Sequence, residues 1–206
     1  MTDPESCALK ALLAQVRACR ACDDLPCGPR PVVQAQAGAR LLIVGQAPGR
    51  RVHETGIPWN DPSGDRLRAW LGVDRATFYG PDFAIIPVGL CYPGSGPRGD
   101  RPPRPRCAPL WFARLRVLLP QTRLTLLVGR YAQAYHLPPA DARLGVAAAV
   151  RRGADYGALW PLPHPSGRNN QWLKRNPWFE AEILPALRRR VRALLGDPLR
   201  LDDGAA

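Results

Sequence analysis

The chain has 206 residues, enough for a single α/β domain with a sizeable core. Its formal net charge of +12 indicates a polyanionic partner, usually nucleic acid, although a GC-rich genome would also raise the arginine content. Apolar runs are shorter than the roughly eighteen residues of a membrane span, and neither a secretory leader nor a disulfide-dense composition is evident, so we expect a cytoplasmic protein without membrane association.

The first half of the chain predicts two helices and two strands. Residues 5–20 have the apolar spacing of a short amphipathic helix. Residues 40–44 form an uninterrupted apolar run, which is typical of a buried parallel strand, and residues 83–88 predict a second strand. Between these strands, residues 64–71 predict a helix with Ser63 as its N-cap.

The second half continues this alternation. Residues 110–119 predict a helix, residues 124–129 a third strand, and residues 130–136 the start of the helix that follows it. Residues 159–163 predict a last strand at the edge of the sheet, because proline is tolerated only at sheet edges and strand ends. Residues 177–195 predict a long amphipathic helix that opens on a proline.

The order of these elements predicts an α/β fold, a three-layer α/β/α sandwich with a central, mainly parallel four-stranded sheet. We expect a single domain over residues 1–195, with residues 196–206 as a flexible tail. Two of the strands are followed by unusual polar motifs, at Gln46 and at His164. Ligands bind at the carboxyl ends of strands in open α/β sheets, so these motifs are expected to share one site.

Four of the six cysteines have a spacing that suggests a metal site. A C-x2-C pair can supply two thiolate ligands, and two more cysteines flank a proline- and arginine-rich segment. A zinc site usually has two close pairs, so the wide second pair favours an iron–sulfur cluster, and unrelated buried thiols are the alternative. Cys27 is near enough in sequence to replace one ligand, and Cys7 is left over. The candidate ligands are Cys19, Cys22, Cys91 and Cys107.

Together with this cysteine spacing, four short motifs resemble the iron–sulfur uracil-DNA glycosylases of the family-4 type. The motifs are Gly-Gln-Ala-Pro-Gly at 45–49, Thr-Gly-Ile-Pro-Trp at 55–59, Leu-Val-Gly-Arg-Tyr-Ala at 127–132 and His-Pro-Ser at 164–166. The resemblance covers residues 7–195. It implies a DNA glycosylase of base excision repair that hydrolyses the N-glycosidic bond of uracil or another deaminated base in damaged DNA. Nothing in the sequence points to an obligate oligomer, so we expect a monomer. It also implies a 4Fe–4S cluster on the four candidate cysteines.

Three departures from the family pattern bear on the chemistry. The family has a glutamate where this chain has Gln46, and an amide cannot act as a general base, although it can orient a water. The family's asparagine that pairs with the uracil edge is Pro87 here, and the chain between His164 and Arg175 is longer. These departures fit a divergent branch with a different damaged base. They also keep open a catalytically inert lesion- or DNA-binding protein on the same fold. A basic iron–sulfur electron carrier is a third alternative, but the His-Pro-Ser and Gln-Ala-Pro-Gly motifs argue against it, because electron transfer needs neither.

The expected chemistry assigns roles around the base. The resemblance makes His164 the donor of a hydrogen bond to the base oxygen as negative charge builds there, with a structural histidine as the alternative. Trp59 is the candidate stacking platform, or else a core tryptophan, and Asn60 is the candidate reader of the base edge. The turn after the first strand is expected to contact the substrate through Ala47, Pro48 and Gly49.

Water activation and DNA contact involve a second group of residues. Gln46 ranks first for holding the water, with His53 and Asp61 behind it. Ser166 is expected to contact a backbone phosphate, while Arg168, Asn169 and Asn170 probe the duplex where the base has left, unless they belong to a solvated surface loop. The segment between the last two candidate ligands is expected to face phosphates through Arg98, Arg101, Arg104 and Arg106.

Overall fold

The computed structural model describes residues 4–97 and 99–196. Its strands are β1 (Leu41–Val44), β2 (Phe83–Ile85), β3 (Ser95–Gly96), β4 (Gly99–Asp100), β5 (Leu124–Val128) and β6 (Leu159–Leu162). One parallel sheet contains four of them in the order β2-β1-β5-β6, whereas β3 and β4 form a separate antiparallel pair. The predicted four-stranded α/β sheet is confirmed, and the proline-containing strand β6 lies at its edge as expected.

Helices connect these strands and cover both faces of the sheet. The α-helices of the described residues are α1 (Pro4–Arg17), α2 (Arg50–Thr55), α3 (Pro62–Leu71), α4 (Arg75–Phe78), α5 (Cys107–Val117), α6 (Arg130–His136), α7 (Pro139–Arg143), α8 (Val146–Arg151), α9 (Asn170–Arg175) and α10 (Leu184–Leu195). Two 3₁₀ turns, Gly153–Tyr156 and Gly167–Asn169, and a π-helical segment, Phe179–Ile183, supplement them. None of these helices is long and apolar enough to cross a membrane.

The parallel sheet is buried because its strands carry apolar side chains on both faces. Leu42 and Val44 of β1 pack into one core with α1 and α5, whereas Leu41 and Ile43 pack into a second core with α3 and α10. All four side chains are fully buried. Apolar residues on both faces are typical of a parallel sheet that helices cover on each side. The result is the predicted three-layer α/β/α sandwich.

Some predicted boundaries differ from the structure. The first helix ends at Arg17 instead of residue 20, and the second strand ends at Ile85 instead of residue 88. The helix predicted from residue 177 starts as the π-helical segment and becomes α-helical only at Leu184. Arg98 and all but the first residue of the predicted tail, 196–206, lie outside the described residues.

The start of α3 corrects the prediction that Ser63 is its N-cap. Asp61 is the N-cap, since its Oδ1 accepts a hydrogen bond from the Gly64 N–H at 2.8 Å. Pro62 takes the first helical position, where the missing N–H would have no intrahelical partner anyway. Ser63 therefore lies inside the first turn, and Asp61, a candidate for water activation, has a structural role as well.

Candidate active site

A cleft of about 720 Å³ opens where the four parallel strands end. Residues just beyond each strand line it, namely Gly45 after β1, Pro87 after β2, Gly129 after β5 and His164 after β6. The carboxyl ends of parallel strands are where open α/β sheets bind ligands. The structure therefore brings the motif around Gln46 and the motif around His164 to one cleft.

The wall of this cleft contains ten of the twelve predicted catalytic and substrate-binding residues. They are Gln46, Ala47, Pro48, Gly49, Trp59, Asp61, His164, Ser166, Arg168 and Asn169. The other two, His53 and Asn60, are not among its lining residues in the described part of the chain. The roles assigned to all twelve residues remain predictions.

His164 is held in one tautomer by its own loop. Its Nδ1 accepts a hydrogen bond from the Ser166 backbone N–H at 3.2 Å, and Asn169 Nδ2 donates to the His164 carbonyl oxygen at 2.7 Å. Burial lowers the pKa of His164 to about 4, and the Asp100 carboxylate opposes that shift. The imidazole is therefore neutral near pH 7 and carries its proton on Nε2, so Nε2–H can donate to an oxygen that gains negative charge.

The loop that carries this histidine is anchored at two points. Arg66 of α3 donates from Nη1 to Asn170 Oδ1 at 2.8 Å and to the Ser166 carbonyl oxygen at 3.3 Å. The Arg168 guanidinium packs closely against Gly99, and the φ of 111° at Gly99 is one that glycine adopts readily. The loop is thus tied both to α3 and to the β3–β4 pair.

Trp59 lies next to His164 in the cleft wall. The centroids of the two rings are 5.6 Å apart. The Trp59 ring packs so closely on Gly45 that a methyl group there would lie 2.9 Å from Trp59 Cζ2. Its apolar edge also contacts the second core, while part of the side chain remains exposed. Trp59 is therefore a wall residue with one surface toward the cleft, and a stacking role fits this position.

Gln46 is oriented by its amide group. Its Nε2 donates a hydrogen bond to the Arg101 carbonyl oxygen at 3.0 Å. Because the amide NH₂ is used there, Oε1 is the atom that can accept a hydrogen bond from a water in the cleft. An amide oxygen can orient a water, but it does not take up the proton of that water.

His53 and Asn60 turn toward other parts of the fold. Asn60 Oδ1 accepts a hydrogen bond from Arg75 Nη2 at 3.0 Å, which draws the side chain toward α4. The His53 ring lies 5.9 Å from the Tyr92 ring, and burial together with the Arg30 charge lowers the pKa of His53. The geometry therefore does not support base reading by Asn60 or water activation by His53.

Asp100 ends β4 and lines the cleft, although it was not predicted as a site residue. A methyl group on Gly49 would lie 3.4 Å from Asp100 Oδ2, so this carboxylate reaches the turn after β1. Ser95 Oγ donates to Asp100 Oδ1 at 3.2 Å. A lone acidic residue in a basic, proline-rich segment was the available signal, but the arginines around it suggested phosphate contacts instead.

The four candidate cysteine ligands line one small, mainly apolar cavity. Burial, together with the neighbouring thiols, raises the pKa of Cys91 to about 12, and burial also raises the pKa of Cys107. Cys7 and Cys27 are exposed. No group of three or more His, Cys, Asp or Glu side chains within residues 4–97 and 99–196 is arranged to hold a metal ion. The cavity is lined by Cys19, Cys22, Cys91 and Cys107.

Two arginines of the intervening segment bind the chain around the first cysteine pair. Arg104 Nη2 forms a salt bridge with Asp24 Oδ2 at 2.7 Å, and Arg106 Nη1 donates to the Ala21 carbonyl oxygen at 2.9 Å. Each of these guanidinium groups thus makes a contact within the protein, and the prediction that they face phosphates stays a prediction.

The family model of the uracil DNA glycosylase superfamily matches residues 32–188. The match covers more than half of the chain and includes all four strands of the parallel sheet and all residues named above as lining the cleft. It contains Cys91 and Cys107 but begins after Cys19 and Cys22.

Proposed function

The chain belongs to the uracil DNA glycosylase superfamily, a group that acts on DNA, and we propose that it excises uracil or another deaminated base by hydrolysing the N-glycosidic bond. The observation that carries the proposal is the neutral His164, whose loop leaves Nε2–H as the donor in a cleft that it shares with Trp59. A departing base needs an aromatic surface to bind it and a donor to stabilise its negative charge.

Binding begins with extrusion of the target nucleotide from the duplex, at a cost of a few kcal/mol of unstacking. In our proposal the base then stacks on Trp59, a contact worth about 1–3 kcal/mol. Pro87 lines the cleft where the family pattern has an asparagine, so no side-chain amide reads the base from that position. This difference supports a branch whose preferred base need not be uracil.

The chemical step relies on charge stabilisation in the cleft. As the bond between C1′ and the base nitrogen breaks, its electron pair moves onto the base and the base oxygens become more negative. His164 Nε2–H donates to one of these oxygens, and a preorganised donor of this kind is worth about 10²–10³ in rate. Gln46 Oε1 orients the water that adds to C1′.

Contacts to the DNA backbone would come from the loop after His164. Ser166, Arg168 and Asn169 line the cleft, and the net charge of +12 favours approach to a polyanion. Such contacts set affinity and its salt dependence rather than the choice of base.

We also propose that a 4Fe–4S cluster is held by Cys19, Cys22, Cys91 and Cys107. The four thiols line one cavity, and burial, with a smaller effect of the neighbouring thiols, raises the pKa of Cys91 and of Cys107, so a cationic centre would be needed to stabilise their thiolates. Each cysteine of such a cluster binds a different iron, so the four sulfurs need not converge on one ion. When bound, the cluster would supply a structural cross-link between the chain after α1, the chain after β2 and the start of α5.

A second candidate function is a catalytically inert lesion-binding protein on the same fold. Gln46 and Pro87 favour it, because both replace side chains that act on water or base in the family pattern. Such a protein would bind uracil-containing or abasic DNA tightly and release no base.

A single-turnover base-release assay separates the two candidates. Oligonucleotides would carry uracil, hypoxanthine or xanthine, in single strands and opposite guanine or adenine, and alkali would reveal abasic sites. We expect release from at least one substrate, a loss of about 10²–10³-fold in His164→Ala, and little change in His136→Gln, a histidine that packs on Phe112 instead. Tight binding of these DNAs without release from any substrate would favour the inert candidate.

A further inference from the structure

The proposed hydrolysis needs an acceptor for a proton of the attacking water, and Gln46 cannot serve because it is an amide. Within residues 4–97 and 99–196, two carboxylates line the cleft, Asp61 and Asp100. The contacts of the two side chains distinguish them.

Asp61 already has a role in the fold. Its Oδ1 caps α3 by accepting the Gly64 N–H at 2.8 Å. Protonation of this carboxylate would weaken the cap, so a role as proton acceptor conflicts with the structural role.

Asp100 shares the cleft with both polar motifs. Its Oδ2 would be 3.4 Å from a methyl group on Gly49, and the carbonyl oxygen of the next residue, Arg101, accepts a hydrogen bond from the Gln46 amide at 3.0 Å. The negative charge of Asp100 also acts on His164. The carboxylate therefore lies close to the turn that carries the water-orienting residue, in the cleft that also holds the residue that binds the departing base.

A chain of hydrogen bonds orients this carboxylate. Ser95 faces Asp100 across the β3–β4 pair and donates from Oγ to Asp100 Oδ1 at 3.2 Å. The Tyr92 hydroxyl lies 2.7 Å from Ser95 Oγ, and because the Ser95 proton goes to the carboxylate, Tyr92 is the donor in that bond. Tyr92 is 1% exposed, so the chain starts from a rigid point in the core. Oδ1 is thus held, and Oδ2 is the oxygen directed toward the turn after β1.

We propose that Asp100 is the general base of this chain, an inference that rests on the proposed glycosylase function. Asp100 Oδ2 takes one proton from the water as the water oxygen forms its bond to C1′. The bond from C1′ to the base nitrogen breaks, and its electron pair leaves with the base, which His164 Nε2–H stabilises. The base anion is then protonated, Asp100 returns its proton to solvent, and the products are the free base and an abasic site.

The test compares single-turnover rates on the substrate that the wild-type protein cleaves best, at enzyme concentrations high enough to saturate binding. We expect Asp100→Asn to lower the rate by about 10²-fold or more, in the range typical of general bases. Glu182→Gln removes the same charge from an exposed position in the π-helical segment, outside the lining of the cleft, and should retain the wild-type rate. The double variant Asp100→Asn/Gln46→Glu should release the base at least about tenfold faster than Asp100→Asn alone, because the new glutamate supplies a carboxylate beside the same water.

The outcomes separate this inference from the proposed function. Base release by the wild-type protein with an equal rate in Asp100→Asn would overturn the assignment of Asp100 and leave the glycosylase function standing. A larger loss in Asp61→Asn than in Asp100→Asn would transfer the role to Asp61 and overturn it as well. Absence of base release from the wild-type protein on every substrate would overturn both proposals.

Discussion

Trp59 is the one residue other than glycine in the described chain that adopts a positive φ, at 56°. A left-handed conformation costs a non-glycine residue about 1–3 kcal/mol, so packing around it must hold it in place. Two glycines make room for this residue: Gly45 lies against its ring and Gly64 against its carbonyl oxygen. The strained backbone therefore places the indole next to His164, at the position where a base would stack.

A methyl group at Gly45 tests this placement. In Gly45→Ala the new Cβ would lie 2.9 Å from Trp59 Cζ2, so the ring must move away from its present position. We expect slower single-turnover base release and a free energy of unfolding lower by about 1–3 kcal/mol, the usual cost of overpacking. Gly38→Ala is the matched control, because nothing lies within 4 Å of its new Cβ. Equal base-release rates in the two variants would show that the position of the Trp59 ring does not matter for the reaction.

The conformation of Trp59 also affects the direction of the Asn60 side chain. Asn60 is the predicted reader of the base edge because it follows the candidate stacking platform. A left-handed residue turns the chain sharply, and after this turn the Asn60 side chain meets Arg75 instead of the cleft. The direction of a side chain after such a turn depends on tertiary packing, which a pattern of residue types does not contain.

At the scale of elements, α3 matters because its first turn borders the cleft. Asp61→Ala should lower the free energy of unfolding by about 1 kcal/mol, since it leaves the Gly64 N–H without its acceptor. Ser63→Ala should have a smaller effect, because Ser63 lies inside the helix and is not the cap. Urea unfolding curves measure both, and Asp61→Ser, which keeps an acceptor oxygen, should recover most of the loss. An equal loss in Ser63→Ala and Asp61→Ala would contradict the assignment of the cap.

The elements that could be predicted are those whose signal is local. β1 and β5 are short apolar runs between turn residues, and such runs indicate buried strands without any knowledge of the fold. The N-cap of α3 was also within reach, because proline favours the first helical position and so points to the residue before Pro62. The β3–β4 pair could not be predicted, since each strand has only two residues and lies in a segment without a periodic pattern of apolar residues.

At the scale of the whole molecule, the cleft combines segments that are far apart in sequence. The carboxyl-end rule for parallel sheets was enough to predict that Gln46 and His164 share a site. It could not predict Asp100, because that residue reaches the cleft from outside the parallel sheet, on a segment held by the Gln46 amide and by the packing of Arg168 on Gly99.

The proposed cluster would add a covalent constraint to this same segment, and its removal is a test at the scale of the whole protein. Cys107 is the first residue of α5, and its thiol accepts a hydrogen bond from the Leu90 N–H at 3.3 Å, next to Cys91. In Cys107→Ser we expect loss of bound iron and of the visible absorption of an iron–sulfur protein, because one of four thiolate ligands is gone.

The same variant should unfold at a lower temperature, since the chain after α1 and the chain after β2 would no longer be joined to α5. For a protein of this size each kcal/mol lost lowers the midpoint by about 2–4 °C. Cys7→Ser and Cys27→Ser are the matched controls, and both should keep about four iron atoms per chain, because these two thiols are exposed. Iron analysis and thermal unfolding after anaerobic reconstitution provide the measurement. Loss of iron in Cys27→Ser but not in Cys107→Ser would mean that the ligand set is different, and a wild-type protein that takes up no iron would refute the cluster.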